Sequence, residues 1–227
     1  MGKLYVIESG TDGSGKATQT EKLYRRLLED GFSVKKVEYP NYKSDSSALV
    51  KMYLSGAFGS DPNAVNPYAC SVFFAVDRFA SFKTDWEPFY KNGGIILADR
   101  YTTSNMIHQA GKIFCLQEKE VFLDWLWDLE FKKIGLPVPD RVLFLDVSPE
   151  VSAELIKTRK NKFDEKAPKD IHERNPKHLE DAYRNAQFVA DKYGWTKIKC
   201  MENGRMKSIE EIHEIVYRTV LNDLKNT

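Results

Sequence analysis

The sequence has 227 residues, of which 42% are hydrophobic and 30% charged. This is the composition of a soluble globular protein, long enough to bury a full core without disulfides. Its 34 Lys and Arg balance 33 Asp and Glu, and the net charge of +1 argues against a duplex-DNA binder that relies on bulk charge. Three isolated cysteines argue against a disulfide framework or a zinc site, and no apolar run approaches the ~20 residues of a membrane span. We expect a cytoplasmic protein without nucleic-acid or membrane partners.

Strand and helix patterns alternate along the chain. In chain order, the predicted elements are a strand (3–8), a helix (18–30), a strand (33–39), a helix (44–55), a long helix (66–92), a strand (94–99), a helix (118–133), a strand (141–146), two helices (149–158 and 176–193), a strand (195–200) and a last helix (208–223). Gly31 and Gly56 end the first two helices, and Pro88 is expected to kink or shorten the long one. Strands separated by helices predict one three-layer α/β/α domain with a five-stranded parallel sheet.

A glycine-rich turn joins the first predicted strand to the first helix. It runs from Gly10 to Lys16 with the spacing GxxxxGK. Glycines let successive backbone N–H groups point at an anion, the helix N-terminus adds its dipole, and the lysine reaches the terminal phosphates. The alternative is a strand-to-helix turn without a ligand. The candidate ATP-binding residues are Gly10, Thr11, Asp12, Gly13, Ser14, Gly15, Lys16, Ala17 and Thr18.

The residue after the loop lysine departs from the usual pattern. A hydroxyl there normally binds Mg²⁺, but this sequence has Ala17. Thr18 does not simply replace it, because one helical step rotates the side chain by ~100°. Mg²⁺ is then held by phosphates, waters and another carboxylate, or it is held weakly. Asp99, at the end of the third predicted strand, is placed to orient metal-bound water.

Other candidate ligand residues also follow strands or share one helix face. Arg100 follows Asp99 and can clamp a phosphate with two N–H groups; a salt bridge at the strand end is the alternative. Phe74 and Arg78 lie four residues apart on the long helix, which suits a nucleobase, although a core Phe beside a surface Arg fits the spacing equally. Tyr39 and Tyr42 end the second strand, where a proline turn with packed aromatic rings is the alternative.

Residues 157–178 differ in composition from the rest of the chain. They hold eight Lys or Arg against four Asp or Glu, with two prolines. We interpret this segment as an exposed, mobile loop. Phosphoryl transfer needs positive charge that closes over the phosphates and excludes water, so the segment is a candidate lid. A solvated charged loop without such a role is the alternative.

The chain resembles the thymidylate kinases over about residues 3–220. Four motifs carry the resemblance: the loop Gly10–Lys16, Phe74-x-x-Asp-Arg78, the run Asp99-Arg-Tyr-Thr-Thr-Ser-Asn-Met-Ile-His-Gln109, and Leu143-Phe-Leu-Asp-Val-Ser-Pro-Glu150. The resemblance implies a P-loop fold with a lid over about residues 159–173. It also implies Mg²⁺-dependent transfer of a phosphoryl group from ATP to dTMP, giving dTDP, and a homodimer.

The resemblance further implies a role for each matching residue. Phe74 would stack on thymine, while Arg78 and Asn105, the latter in the loop after Tyr101, would contact the base. Asp12 would hold the 3′-hydroxyl. The full dTMP set is Asp12, Tyr39, Tyr42, Phe74, Arg78, Arg100, Ser104, Asn105, His108 and Gln109. The catalytic set is Lys16, Asp99, Arg100 and the lid residue Arg159, which Lys160 and Lys162 would support at the ATP phosphates.

Two further departures from the family pattern keep alternatives open. His108 stands where the family has Tyr or Phe beside the sugar, so selection against ribose is either relaxed or unchanged. Ser9 stands where the family commonly has Glu, and Glu8 lies one residue earlier. The alternatives are therefore a kinase of another nucleoside monophosphate, such as dUMP, or an impaired, nucleotide-binding regulatory protein.

Overall fold

The computed structural model of the chain describes residues 1–160, 176–202 and 205–226. Its main sheet has five strands in the order β2-β3-β1-β4-β5, and all neighbouring strands are parallel. These strands are β1 (Lys3–Ser9), β2 (Val34–Glu38), β3 (Ile95–Asp99), β4 (Arg141–Asp146) and β5 (Thr196–Lys199). The five-stranded parallel sheet predicted from the alternating pattern is confirmed.

The helices alternate with the strands, as parallel connections require. They are α1 (Lys16–Glu29), α2 (Ala48–Ser55), α3 (Pro67–Ser81), α4 (Glu87–Lys91), α5 (Thr102–His108), α6 (Leu116–Trp127), α7 (Pro149–Lys160), α8 (Pro176–Lys192) and α9 (Ile209–Lys225). A short antiparallel hairpin of β6 (Met201–Glu202) and β7 (Arg205–Met206) precedes α9. No helix among the described residues is both long and apolar enough to span a membrane.

Side chains of β1 alternate between two buried layers, so both faces of the sheet are covered. Tyr5 and Ile7 pack into one cluster with residues of α1 and α9. Leu4 and Val6 pack into the opposite cluster, which includes the fully buried Trp86. The central strand is therefore buried almost along its whole length, including its carboxyl end.

The carboxyl ends of three strands meet at one edge of the sheet. Ile7, Glu38 and Asp99 are aligned in register across β1, β3 and β2. Ligands of such sheets bind beyond this edge, where the strand order diverges. The edge carries the loop after β1, the loop after β2 and the start of α5.

Two predicted helical features differ from the structure. The long helix over 66–92 is interrupted by a π-helical turn, Phe82–Trp86, and Pro88 lies in the first turn of α4, where its missing N–H costs nothing. Asn105 lies in helix α5, and its placement in a loop was wrong. The run Thr-Thr-Ser-Asn has little intrinsic helix propensity, so burial of nearly all of α5 stabilises this helix instead.

The predicted lid falls mostly outside the described residues. Helix α7 extends to Lys160, while the side chains of Arg159 and Lys160 and the whole of Lys162 lie outside the described part of the chain. The lid assignment stays a prediction.

Candidate active site

The loop after β1 has the backbone geometry of an anion-binding turn. Gly13 and Gly15 have φ angles of 78° and 90°, in the left-handed region that favours glycine. Lys16 begins α1, and its Nζ donates to Ser9 Oγ at 2.7 Å and to the Thr11 carbonyl at 3.0 Å. Burial lowers the pKa of Lys16, and the neighbouring Arg100 lowers it further. The ammonium is thus held where a phosphate would gain most from it.

Ala17 and Thr18 lie in the first turn of α1, and both are exposed. Ala17 offers no oxygen to a metal. Among the carboxylates near the loop are those of Asp12, 3.7 Å from Lys16 Nζ, and of Asp99, whose charge also acts on Lys16. Carboxylate oxygens are ligands that suit Mg²⁺, directly or through water.

A cavity of about 330 Å³ opens beside this loop, at the carboxyl edge of the sheet. All ten residues predicted to bind dTMP line it. The aromatic ones are Tyr39, Tyr42, Phe74 and His108, and the others are Asp12, Arg78, Arg100, Ser104, Asn105 and Gln109. Asp99 lines the cavity as well, and so do Glu38, Pro40, Leu54 and Tyr101, which the sequence did not suggest. The cavity has the size of typical small-molecule sites.

The Arg100 side chain lies among the carboxylates of Asp12 and Glu8 and the side chains of Ser104 and His108. Its guanidinium contacts Asp12 Oδ1 and lies 3.7 Å from Glu8 Oε1. Its Nη1 is 3.3 Å from Ser104 Oγ and 3.4 Å from His108 Nε2. Burial acts to lower the pKa of Arg100, but Asp12 and Glu8 outweigh it and raise that pKa above its ordinary value. The guanidinium therefore remains charged at the centre of the cavity wall.

Glu8 lies one residue before Ser9, the position at which the resemblance leads us to expect a glutamate, and its side chain still contacts residues of the site. Its buried carboxylate accepts hydrogen bonds from Thr103 Oγ1 and Ser104 Oγ, each at 2.7 Å. Ser9 takes a different place, since its Oγ accepts from Lys16 and from Ser14. Glu8 thus fixes the start of α5, while Ser9 braces the phosphate loop.

Asp99 ends β3 near the loop and is half-buried. Burial raises the pKa of its carboxyl group, although Lys16 and Arg100 act in the opposite direction. A raised pKa means that the folded protein holds this proton more tightly than the unfolded chain. The contribution of Asp99 to the free energy of unfolding is therefore favourable at acidic pH, and it is lost as the pH rises through the raised pKa.

We expect Asp99→Asn to increase thermal stability at neutral pH, because a neutral side chain removes the cost of a buried charge. The gain should shrink as pH falls, since the wild-type carboxyl then takes up its proton. Thermal unfolding between pH 4 and pH 8 measures this. The control is Asp191→Asn, which removes only an exposed ion pair with Lys197 and should change little. A lower midpoint for Asp99→Asn at neutral pH would contradict the argument.

Phe74 and Arg78 project from α3 into the cavity, four residues apart. Phe74 is half-buried, with its ring edge-on to Tyr53 at 6.3 Å between centroids. Arg78 is buried and pairs with Glu130. The alternative interpretation, in which Arg78 lies on the protein surface, was therefore wrong. Glu130 was missed at the sequence level. It could have been found, because it lies four residues after the apolar Leu126 and so falls on the buried face of the predicted helix. A carboxylate on a buried face needs a partner.

Asp77 is a second residue whose role the sequence did not reveal. Its carboxylate accepts from the backbone N–H of Asn41 at 2.8 Å and from Ser46 Oγ at 2.6 Å. Tyr39 is fixed from the other side, since its hydroxyl donates to Ser81 and accepts from Trp86 Nε1. Helix α3 therefore positions the loop after β2.

Comparison with known proteins identifies relatives of the chain. The model of a family described as "Thymidylate kinase" matches residues 7–203. A "Thymidylate kinase" of Mycobacterium tuberculosis is 32% identical over 152 residues, covering 66% of this chain and 69% of that protein. A "Probable thymidylate kinase" of Staphylothermus marinus is 27% identical over 162 residues, covering 71% and 72%. A "Thymidylate kinase" of Prochlorococcus marinus is 25% identical over 227 residues, covering 99% and 98%.

Proposed function

The chain belongs to the thymidylate kinase family, and we propose that it is a phosphotransferase that converts ATP and dTMP to ADP and dTDP. One observation carries the proposal. A cavity beside the phosphate loop is lined by aromatic rings that suit a base, by two arginines and three carboxylates, and by several further polar side chains. A donor site that adjoins a separate acceptor cavity is what transfer between two nucleotides requires.

The reaction is a direct in-line transfer. An oxygen of the dTMP phosphate, already anionic near neutral pH, attacks the γ-phosphorus of ATP, and the bond to the ADP oxygen breaks. No strong general base is needed. The protein holds two polyanions together and stabilises the charge on the transferring group with Lys16 and Arg100. Arg159, supported by Lys160 and Lys162, is proposed to add positive charge from the lid.

Mg²⁺ is the proposed cofactor, and when bound with ATP it would neutralise part of the phosphate charge. The carboxylates of Asp12 and Asp99 would hold it, directly or through water, because Ala17 provides no hydroxyl. Residues 10–18 are proposed to bind the ATP phosphates. Asp12 lies at the boundary of the two nucleotide sites, since it contacts Arg100 in the acceptor cavity.

The substitution Ala17→Thr tests this arrangement of the metal. A hydroxyl at this exposed position would add a direct ligand, and we expect the Mg²⁺ concentration for half-maximal rate to fall by about tenfold. A titration of activity with Mg²⁺ measures it. Ala17→Val is the matched control, because valine has the shape of threonine without its hydroxyl. If the Thr and Val variants need the same Mg²⁺ concentration for half-maximal rate, a hydroxyl at position 17 does not contribute to metal binding.

A homodimer is the proposed assembly, formed through α3 and α6. Val72, Val76 and Phe79 on α3 and Val121 on α6 are apolar and exposed, so they are available for a contact. Exposed apolar side chains on neighbouring helices favour association if they form one patch. Sedimentation of the full chain at micromolar concentration should give a dimer, and a monomer would refute the assembly. The cytoplasm is the proposed location.

A coupled assay of ADP release tests the function. The acceptors are dTMP, dUMP, the ribose form of TMP, dCMP, dGMP and AMP, each with ATP and Mg²⁺. We expect the highest kcat/KM with dTMP. Comparable turnover of the ribose form is the result expected if His108 relaxes sugar selection. Absence of turnover with every acceptor, in protein that still binds nucleotide, would overturn the proposed function.

A further inference from the structure

Glu130 is a completely buried carboxylate to which the proposed reaction assigns no step. It lies in a π-helical turn, Asp128–Lys133, that continues α6 toward the cavity. Such turns are frequent at functional sites, because they redirect a side chain that a regular helix would aim elsewhere. The turn brings Glu130 against α3 and α5, the two helices that carry the base-facing residues.

Four N–H or O–H groups converge on this carboxylate. Arg78 donates from Nε at 2.7 Å and from Nη2 at 2.5 Å, which is a two-pronged pairing. Thr102 Oγ1 donates at 2.8 Å, and Asn105 Nδ2 donates at 3.2 Å. The Arg78 guanidinium and the Asn105 amide therefore have a common anchor, although 27 residues separate them in the sequence.

The anchor determines which end of the Asn105 amide faces the cavity. Both hydrogens of Nδ2 are used, one by Glu130 and one by the carbonyl of Ser71 at 3.1 Å. Neither of these groups is a donor, so the amide nitrogen has to face them. The carbonyl Oδ1 then points the other way, and among the described residues no donor contacts it. Asn105 presents a hydrogen-bond acceptor to the cavity that it lines.

Glu130 also fixes the Arg78 guanidinium, which offers hydrogen-bond donors to the cavity where Asn105 offers an acceptor. Two of the five guanidinium N–H groups go to the carboxylate, and Nη1 donates to the Tyr101 carbonyl at 3.4 Å. The remaining N–H groups are donors beside the cavity. A donor next to an acceptor matches the edge of thymine or uracil, which has a carbonyl oxygen next to a ring N–H. Cytosine has the reverse pattern, with an amino group next to a bare ring nitrogen.

We propose that Glu130 is a positioning residue that sets base selectivity, by orienting the Asn105 amide and the Arg78 guanidinium so that the cavity accepts the thymine edge and rejects the cytosine edge. The inference rests on the proposed function, because it concerns the acceptor site of that reaction. It adds a residue that touches neither nucleotide. Selectivity arises here because a wrong base leaves buried polar groups unpaired.

The variant Glu130→Gln tests the inference. A glutamine offers an N–H as well as an oxygen, so it no longer dictates the orientation of the Asn105 amide. We expect the ratio of kcat/KM for dTMP to that for dCMP to fall at least about tenfold, with a higher KM for dTMP and an unchanged KM for ATP. Calorimetric binding of dTMP and dCMP without ATP gives the same ratio independently of turnover.

Two further variants keep the test decisive. Glu130→Asp retains the negative charge beside Arg78, so it should fold. Its side chain is one methylene too short to hold Asn105 as well, so the ratio should fall. If Glu130→Gln does not fold, the ratio measured for Glu130→Asp tests the inference. Asp223→Asn is the control, because it breaks another two-pronged pair, with Arg141, outside the cavity. It should leave the ratio unchanged. Loss of stability reduces the amount of active enzyme but does not move a ratio.

The outcomes separate this inference from the function on which it rests. A wild-type protein without activity on dTMP would overturn the proposed function. A wild-type protein that prefers dTMP, with a ratio that stays within about twofold in the Glu130 variants that fold, would overturn only the positioning role. An equal loss with dTMP and dCMP also overturns it, because that is the signature of a purely structural residue.

Discussion

Lys16→Met is expected to reduce kcat for phosphoryl transfer by about 10³-fold, the scale found when one preorganised charge-stabilising donor is removed. Methionine preserves the length and apolar stem of the side chain and deletes only the ammonium. That ammonium is buried within the loop, where Ser9 and Thr11 accept its hydrogen bonds. A charge in such surroundings interacts with phosphates more strongly than one in water.

Lys22→Met is the matched control, since Lys22 lies on the same helix and makes only an exposed ion pair with Glu210. Its kcat should stay within about twofold of wild type. Single-turnover measurements with ATP and dTMP separate the chemical step from product release. If Lys16→Met loses less than about tenfold in that step, the ammonium does not stabilise the transferring group.

The arrangement of the site follows from features that are visible in the sequence. Apolar strand runs separated by helices predict parallel strands, and parallel strands bring their carboxyl ends to one edge. Asp12 follows β1, Tyr39 follows β2 and Arg100 follows β3, and all three line the cavity. The spacing of Phe74 and Arg78 predicts a shared helix face, which the structure confirms.

What the sequence could not predict depends on contacts between distant segments. The partner of Arg78 is 52 residues away, and the π-helical turn that holds it was not predicted from the sequence. Helix α5 consists largely of residues with modest helix propensity and forms because it is buried, with Glu8 accepting from its first turn. Tertiary burial outweighs local propensity in such segments.

Arg100 itself has a backbone conformation that its residue type does not favour. Its φ angle of 68° is the only positive one among the described residues other than glycine. Such a conformation costs of order 1 kcal/mol or more, and it persists only where the surrounding structure holds it in place. Here it turns the chain from β3 into α5 and directs the guanidinium at the phosphate loop.

Arg100→Met is expected to lower kcat/KM for dTMP by about 10³-fold while the KM for ATP changes little, because this guanidinium lies in the acceptor cavity. Asp12 and Glu8 hold the charged arginine in the free protein, and Ser104 completes its surroundings. A bound phosphate would receive the same N–H groups, with two-pronged geometry.

Arg100→Lys distinguishes charge from geometry, since lysine keeps the positive charge but not the planar fork. We expect it to recover only part of the loss, with a KM for dTMP that remains at least about tenfold above wild type. Arg141→Met is the control for loss of a half-buried arginine side chain, because Arg141 pairs with Asp223 outside the cavity. It should lower stability and leave both KM values unchanged. Full activity of Arg100→Lys would mean that charge alone suffices. An Arg100→Met variant with unaltered kcat/KM for dTMP would remove Arg100 from the acceptor site altogether, and the ion pair with Asp12 would then be a structural link between β3 and the phosphate loop.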